Sequence, residues 1–169
     1  MENGYILVMD WLYKISMWIA GISLLVMVTV IPIGIFGRYV LNSGYSWPEP
    51  VSIICMIIFT FVGAAVSYRA GSHIAVSMLT DRLSGEMKKI CNIIAELLMM
   101  LICLFILRYG STLCIEMWDQ PIAEFPIITE GIKYLPLPIG SAITLLFVIE
   151  RLFLGSQAER PIVQRGNAG

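Results

Sequence analysis

The sequence predicts an all-α polytopic membrane protein: four transmembrane helices plus an in-plane amphipathic helix, with both termini cytoplasmic. Three observations carry this expectation. Of the 169 residues, 58% are hydrophobic and only 14% are charged, where a soluble domain carries roughly 25% charged residues. The mean hydropathy of +0.83 points the same way. Long apolar runs recur along the chain, and the lysines and arginines crowd into alternate connections. A soluble fold of this size could not cover so much apolar surface, which excludes an ordinary cytosolic enzyme and a disordered chain. A formal net charge of -1 offers no electrostatic footprint for nucleic acid.

The organisation expected is a single transmembrane domain over 1–154, with spans at about 12–37, 50–68, 88–118 and 136–154, and a cytoplasmic tail over 155–169. The first uncharged run, Ile15 to Gly37, is 23 residues long, or about 35 Å as a helix. That exceeds the ~30 Å hydrocarbon core, so it spans with tilt. Trp11, Tyr13 and Trp18 suit the headgroup level at its start. The acidic leader (Glu2, Asp10), the length of the run and the lack of a small-residue cleavage site argue against a signal peptide. Pro32 and Gly34 suggest a kink near its end. Pro50 fits the first turn of the second span. The third begins near Ile90 and is stopped by Pro121 at the latest. The fourth starts at Pro136 or Pro138 and is short, with Lys133 and Arg151 placed to snorkel at its ends.

Orientation follows from the basic residues. With both termini inside, Lys14, Arg69, Arg82, Lys88, Lys89, Arg151, Arg160 and Arg165 are inside, and only Arg38, Arg108 and Lys133 are outside. The second connection carries an interfacial helix at about 74–88. Val76, Leu79, Leu83, Met87 and Ile90 share one face at about 100° per residue, and Ser77, Asp81, Lys88 and Lys89 share the other. Such a helix lies in the plane of the headgroups.

Few residues suggest chemistry. Cys55, Cys91, Cys103 and Cys114 lack metal-ligand spacing and read as small core residues. His73 is the only histidine, so haem held by two histidines of this chain is excluded, and no cofactor or metal is expected. Glu96 is an acid inside a span, roughly 9 Å along the helix from Ile90. It is either a proton- or cation-coupled carboxylate or a structural one bonded to a neighbouring helix, and no second carboxylate at a similar depth is evident. Arg38 and Glu49 flank a short connection and can meet as an interfacial pair worth less than ~1 kcal/mol. Nothing matches a nucleophile–base pair, a phosphate-cradling loop or a catalytic carboxylate dyad, so no enzymatic activity is expected. Neither duplicated halves nor broken helix pairs are evident. The chain therefore reads as a subunit that needs a partner.

The stretch from Gly37 to Leu83 resembles the signature region of the small membrane subunit of TRAP transporters, the DctQ-like family. The residues that carry the resemblance are Arg38 ending the first span, Trp47 and Glu49 opening the second, Gly63, then Arg69, Gly71 and His73, and finally Asp81 and Arg82. Leu135 to Gly140, before the last span, is also similar, and the four spans extend the likeness to essentially the whole chain. Pro50 departs from the pattern, standing where the family more often has a second acid.

The resemblance implies a small scaffold subunit of a tripartite sodium-coupled importer in the bacterial inner membrane. A periplasmic substrate-binding protein captures an organic acid, of which sialic acid is one example. A large membrane subunit holds the sodium and substrate and moves them like an elevator. The small chain enlarges the static scaffold, with membrane lipids around it and room for a bound phospholipid. The outer connections, bearing Asn42, Ser43, Tyr45, Trp118, Asp119 and Glu124, are then candidates for docking the binding protein. Gly21, Gly34, Gly63, Ala64 and Ala65 are candidates for close approach of a partner helix. Two readings compete: a stand-alone proton-coupled transporter using Glu96, and a membrane anchor for a redox enzyme.

Overall fold

The computed structural model describes residues 2–71, 85–123 and 125–155. Its helices are α1 (Glu2–Tyr39), α2 (Pro48–Arg69), α3 (Gly85–Glu116), the short α4 (Glu130–Tyr134) and α5 (Pro136–Leu154). Between α3 and α4 lies an antiparallel ribbon, β1 (Pro121–Ile122) with β2 (Phe125–Thr129). Among the described residues, four segments are long and apolar enough to cross a membrane: α1, α2, α3, and α4 together with α5. The protein is thus an all-α polytopic membrane protein.

Two helices are longer than the uncharged runs that announce them. α1 has 38 residues and α3 has 32, or about 57 and 48 Å at 1.5 Å per residue. Both exceed a bilayer of about 40–45 Å with its headgroups, so each tilts or projects into water. Pro32 lies inside α1, which continues through it to Tyr39. Prolines begin α2 and α5, where a missing N–H leaves no extra unpaired carbonyl. Of the expected in-plane helix, residues 85–88 form the first turn of α3, and 74–84 lie outside the described residues.

Across the bundle, α1 packs on α2, α2 on α5, and α5 on α3. The reason α1 lies along α2 is a seam of Met9, Tyr13, Ser16, Ala20, Ser23, Met27, Val30, Gly34 and Gly37, all buried or half-buried. Their spacing alternates four and three, as in two helices that wrap each other. Small residues dominate its middle and let the backbones close up. A Cβ on Gly34 would stand 2.9 Å from Pro48 Cβ. α5 approaches α2 still more closely, since a Cβ on Gly140 would lie 2.6 Å from Phe61 Cβ. Gly34 and Ala65, nominated above for a partner helix, are therefore used inside this chain; Ala65 is fully buried. A Cβ on Gly21 would meet nothing within 4 Å, and Ala64 is exposed.

The apolar core sits at one end, formed by Met9, Tyr13, Ala65, Tyr68, Phe147 and Val148. Tyr13 is thus a core residue and no headgroup anchor, whereas Trp11 and Trp18 are exposed. At the other end the connection after α3 folds back on itself. Gly131 donates its N–H to Met117 O at 2.9 Å and Glu130 to Gln120 O at 2.8 Å. Gly131 is required there, because a Cβ would stand 2.7 Å from Trp118 Cα.

Candidate functional site

The most polar place inside the bundle is built on four helices. Arg69 is the last residue of α2, where the helix dipole favours a cation. Its Nε and Nη2 donate to Glu150 Oε2 and Oε1 of α5, both at 2.8 Å. Nη2 also donates to Asp10 Oδ1 of α1 at 2.7 Å. The guanidinium lies 5.4 Å from the ring centre of Tyr13 and 5.2 Å from that of Phe147, close enough for cation–π attraction. The Arg69 and Glu150 side chains are each 1% exposed.

The sequence neighbours of Arg69 and Glu150, Tyr68 on α2 and Arg151 on α5, make a second group with Glu96 of α3. Tyr68 donates its hydroxyl to Glu96 Oε2 of α3. Arg151 pairs with Glu96 Oε1 through Nε at 2.7 Å and lies 5.5 Å from the Tyr68 ring centre. Arg151 therefore turns inward to Glu96, and the expected snorkelling does not occur. Lys133, its counterpart at the other end of the span, pairs with Glu130.

The expected solitude of Glu96 is also corrected. Asp10 and Glu150 are buried acids at the same end of the bundle. Both groups are ion pairs that tie helices together: α1, α2 and α5 through Arg69, and α2, α3 and α5 through Glu96. The wholly buried Arg69–Glu150 pair contributes little net stability against apolar replacements, but removing one partner strands a charge and costs about 3–5 kcal/mol. Among the described residues no group of three or more His, Cys, Asp or Glu side chains is placed to hold a metal ion.

The second polar place is at the opposite end, where α1 turns into α2. Arg38 Nη2 and Glu49 Oε2 are 3.9 Å apart, with side chains 65% and 72% exposed. Asn42 makes the turn with a φ of 51°. Tyr45 lies over Gly37, with a ring carbon 2.5 Å from where a Cβ would be. Asn42, Tyr45, Trp47, Trp118 and Asp119 are exposed and Ser43 is half-buried. Gly63 is half-buried beside Ala20 and Phe59, and Gly71 follows α2 with a φ of 73°. His73, Asp81, Arg82 and Glu124 lie outside the described residues.

Comparison with known proteins decides the family. Residues 27–158 match the family described as "Tripartite ATP-independent periplasmic transporters, DctQ component". The chain belongs to the DctQ family. It is 27% identical over 135 residues to the ectoine TRAP transporter small permease protein TeaB of Halomonas elongata, covering 78% of this chain and 68% of that one. A putative TRAP transporter small permease protein of Haemophilus influenzae is 26% identical over 132 residues, covering 78% and 81%. The sialic acid TRAP transporter permease protein SiaT of Haemophilus influenzae is 22% identical over 139 residues, which are 82% of this chain but 22% of SiaT. This DctQ chain is accordingly a small component of a TRAP transporter, and a multi-pass membrane protein.

Of the motif residues that carry the resemblance, Arg69 occupies the centre of the buried network. Asp10, Glu150, Tyr68 and the inward turn of Arg151 were not anticipated. A signal for them exists in the sequence. With an even number of spans, Asp10 before the first, Arg69 after the second, Glu96 early in the third and Glu150 ending the fourth all fall at one end.

Proposed function

We propose that this chain is a static scaffold subunit of a sodium-coupled importer of an organic acid in the bacterial inner membrane. It acts beside a large membrane subunit that carries sodium and substrate, and a periplasmic substrate-binding protein that delivers the substrate. Both termini are cytoplasmic in this reading, supported by the basic residues Lys14 in the first half of α1, Arg69, Arg82, Lys88 and Lys89 from the end of α2 to the start of α3, and Arg151, Arg160 and Arg165 from the end of α5 onward. SiaT supports a large partner, since the region like this chain is 22% of a much longer permease.

The observation that carries a static role is the arrangement of charge inside the bundle. Arg69 is held by Asp10 and Glu150, and Glu96 by Arg151 and Tyr68. These contacts lock helices to one another and favour a rigid frame. A stand-alone proton carrier would need Glu96 to be reached from water, and pairing with Arg151 weighs against that. The test is sodium-driven uptake in liposomes containing the large subunit and the binding protein, with and without this chain. Uptake should require it. Undiminished uptake by a stable large subunit alone would end the scaffold reading.

A further inference from the structure

Arg108 of α3 is an exposed cation, and its depth follows from its neighbours. Two levels of charge bound the bundle. At one end Arg69, Glu150, Glu96 and Arg151 are joined in the two buried groups. At the other stand Arg38 with Glu49, and Lys133 with Glu130. Along α2, Glu49 and Arg69 are about 30 Å apart, the thickness of a hydrocarbon core. Arg108 is only about 18 Å along α3 from Glu96. The packing of α3 on α5 agrees. A Cβ on Gly110 would stand 3.4 Å from Leu137 Cβ and from Pro138 Cδ, and Pro138 is about 18 Å along α5 from Glu150. Arg108 therefore lies within the span, roughly 12–15 Å short of the outer charges.

Among the described residues no acid neutralises it. The guanidinium donates through Nη1 to the Thr112 hydroxyl, one turn or about 5 Å outward, and is still below the outer charges. Charged side chains at such depth are rare and turn to a partner or a water-filled cavity. Arg108 also belongs to an exposed stripe on α3, Ile94, Leu98, Leu101, Phe105, Arg108 and Ile115. With Thr112 in the last step, its spacing alternates four and three, as in the seam that α1 turns to α2. Such a stripe fits a helix lying alongside, and the charge says which. A second copy related by an axis along the membrane normal would set Arg108 at the height of its own counterpart, cation against cation. Acyl chains offer no anion. We propose that a helix of the large membrane subunit lies along this stripe and places an Asp or Glu carboxylate on Arg108, fixing the register as one polar residue does in a coiled coil. The proposal rests on the scaffold reading for the presence of that subunit.

The complex of this chain with the large subunit, extracted in mild detergent, tests this. Arg108→Lys keeps the cation and supplies an amine that a membrane-permeable carbodiimide joins as an amide to a carboxylate in contact. The peptide joined at position 108 should come from a membrane-spanning segment of the large subunit. Arg108→Gln should weaken the complex about tenfold or more on dilution, the effect of removing one member of a shielded charge pair. The melting temperature of the full chain alone should not fall in that variant, because the position is exposed. A carbodiimide product at position 108 that is absent, or confined to this chain, in an intact complex would overturn the assignment and leave the scaffold reading standing. So would an Arg108→Gln complex as tight as the unaltered one. Failure of the unaltered chain to retain the large subunit would overturn both.

Discussion

Arg69 and Glu150 meet through two parallel hydrogen bonds of 2.8 Å, although 81 residues separate them in the chain. The pair joins the end of α2 to the end of α5, and Asp10 extends it to α1. Because both side chains are almost wholly shielded, each depends on the other for the solvation that water would supply.

Substitution at this pair should therefore be asymmetric. Arg69→Met takes the shared cation away from Asp10 and Glu150 and should destabilise the chain by roughly 3–5 kcal/mol. Arg69→Met combined with Glu150→Met should recover much of that loss. Thermal unfolding of the single and double variants in detergent measures the coupling. Additive losses would mean that the two side chains act independently.

Glu96→Gln separates structure from transport. The amide still accepts the Tyr68 hydroxyl but leaves Arg151 without this anion, so stability should fall by about 1–3 kcal/mol. Sodium-driven uptake by the assembled transporter should continue at a similar rate. Loss of uptake with the complex intact would instead identify Glu96 as a coupling group.

Glycines of the bundle should divide by contact. Gly140→Ala places a methyl 2.6 Å from Phe61 Cβ and 2.8 Å from the Phe61 carbonyl carbon. It should cost about 1–3 kcal/mol through forced separation of α2 and α5. Gly21→Ala meets nothing within 4 Å and should be neutral or stabilising by up to ~1 kcal/mol, since alanine favours the helix. Melting temperatures of the two variants compare them directly.

The turn between α1 and α2 and the turn after α3 should face the binding protein. Photocrosslinkers at Tyr45 and Asp119, both exposed, should capture it in the presence of substrate, and one at Trp11 near the opposite end should not. Capture from Trp11 alone would invert the proposed orientation.

Much of the architecture is legible in the sequence. Four membrane-length helices follow from apolar runs too long to be buried in so small a soluble domain, and prolines mark where α2 and α5 begin. The full reach of α1 is not legible, because Asp10 and Lys14 read as a boundary in a hydropathy pattern. The structure carries α1 past them, since Asp10 faces Arg69 and not lipid. Tyr13 is misread for the same reason: beside Trp11 it looks like an interfacial aromatic, yet it points to the seam and covers a guanidinium.

What the sequence alone determined is the class of protein, since transfer of apolar segments into a bilayer depends on composition and length. The residues quoted from Arg38 to Arg82 also sufficed for the family. What only the tertiary structure decided is which charges neutralise one another. Pairing is set by side-chain direction on helices that pack in the order α1, α2, α5, α3, and that order differs from the order along the chain. Hydropathy is summed along one segment, but an ion pair between Arg69 and Glu150 exists only once two segments have been brought side by side.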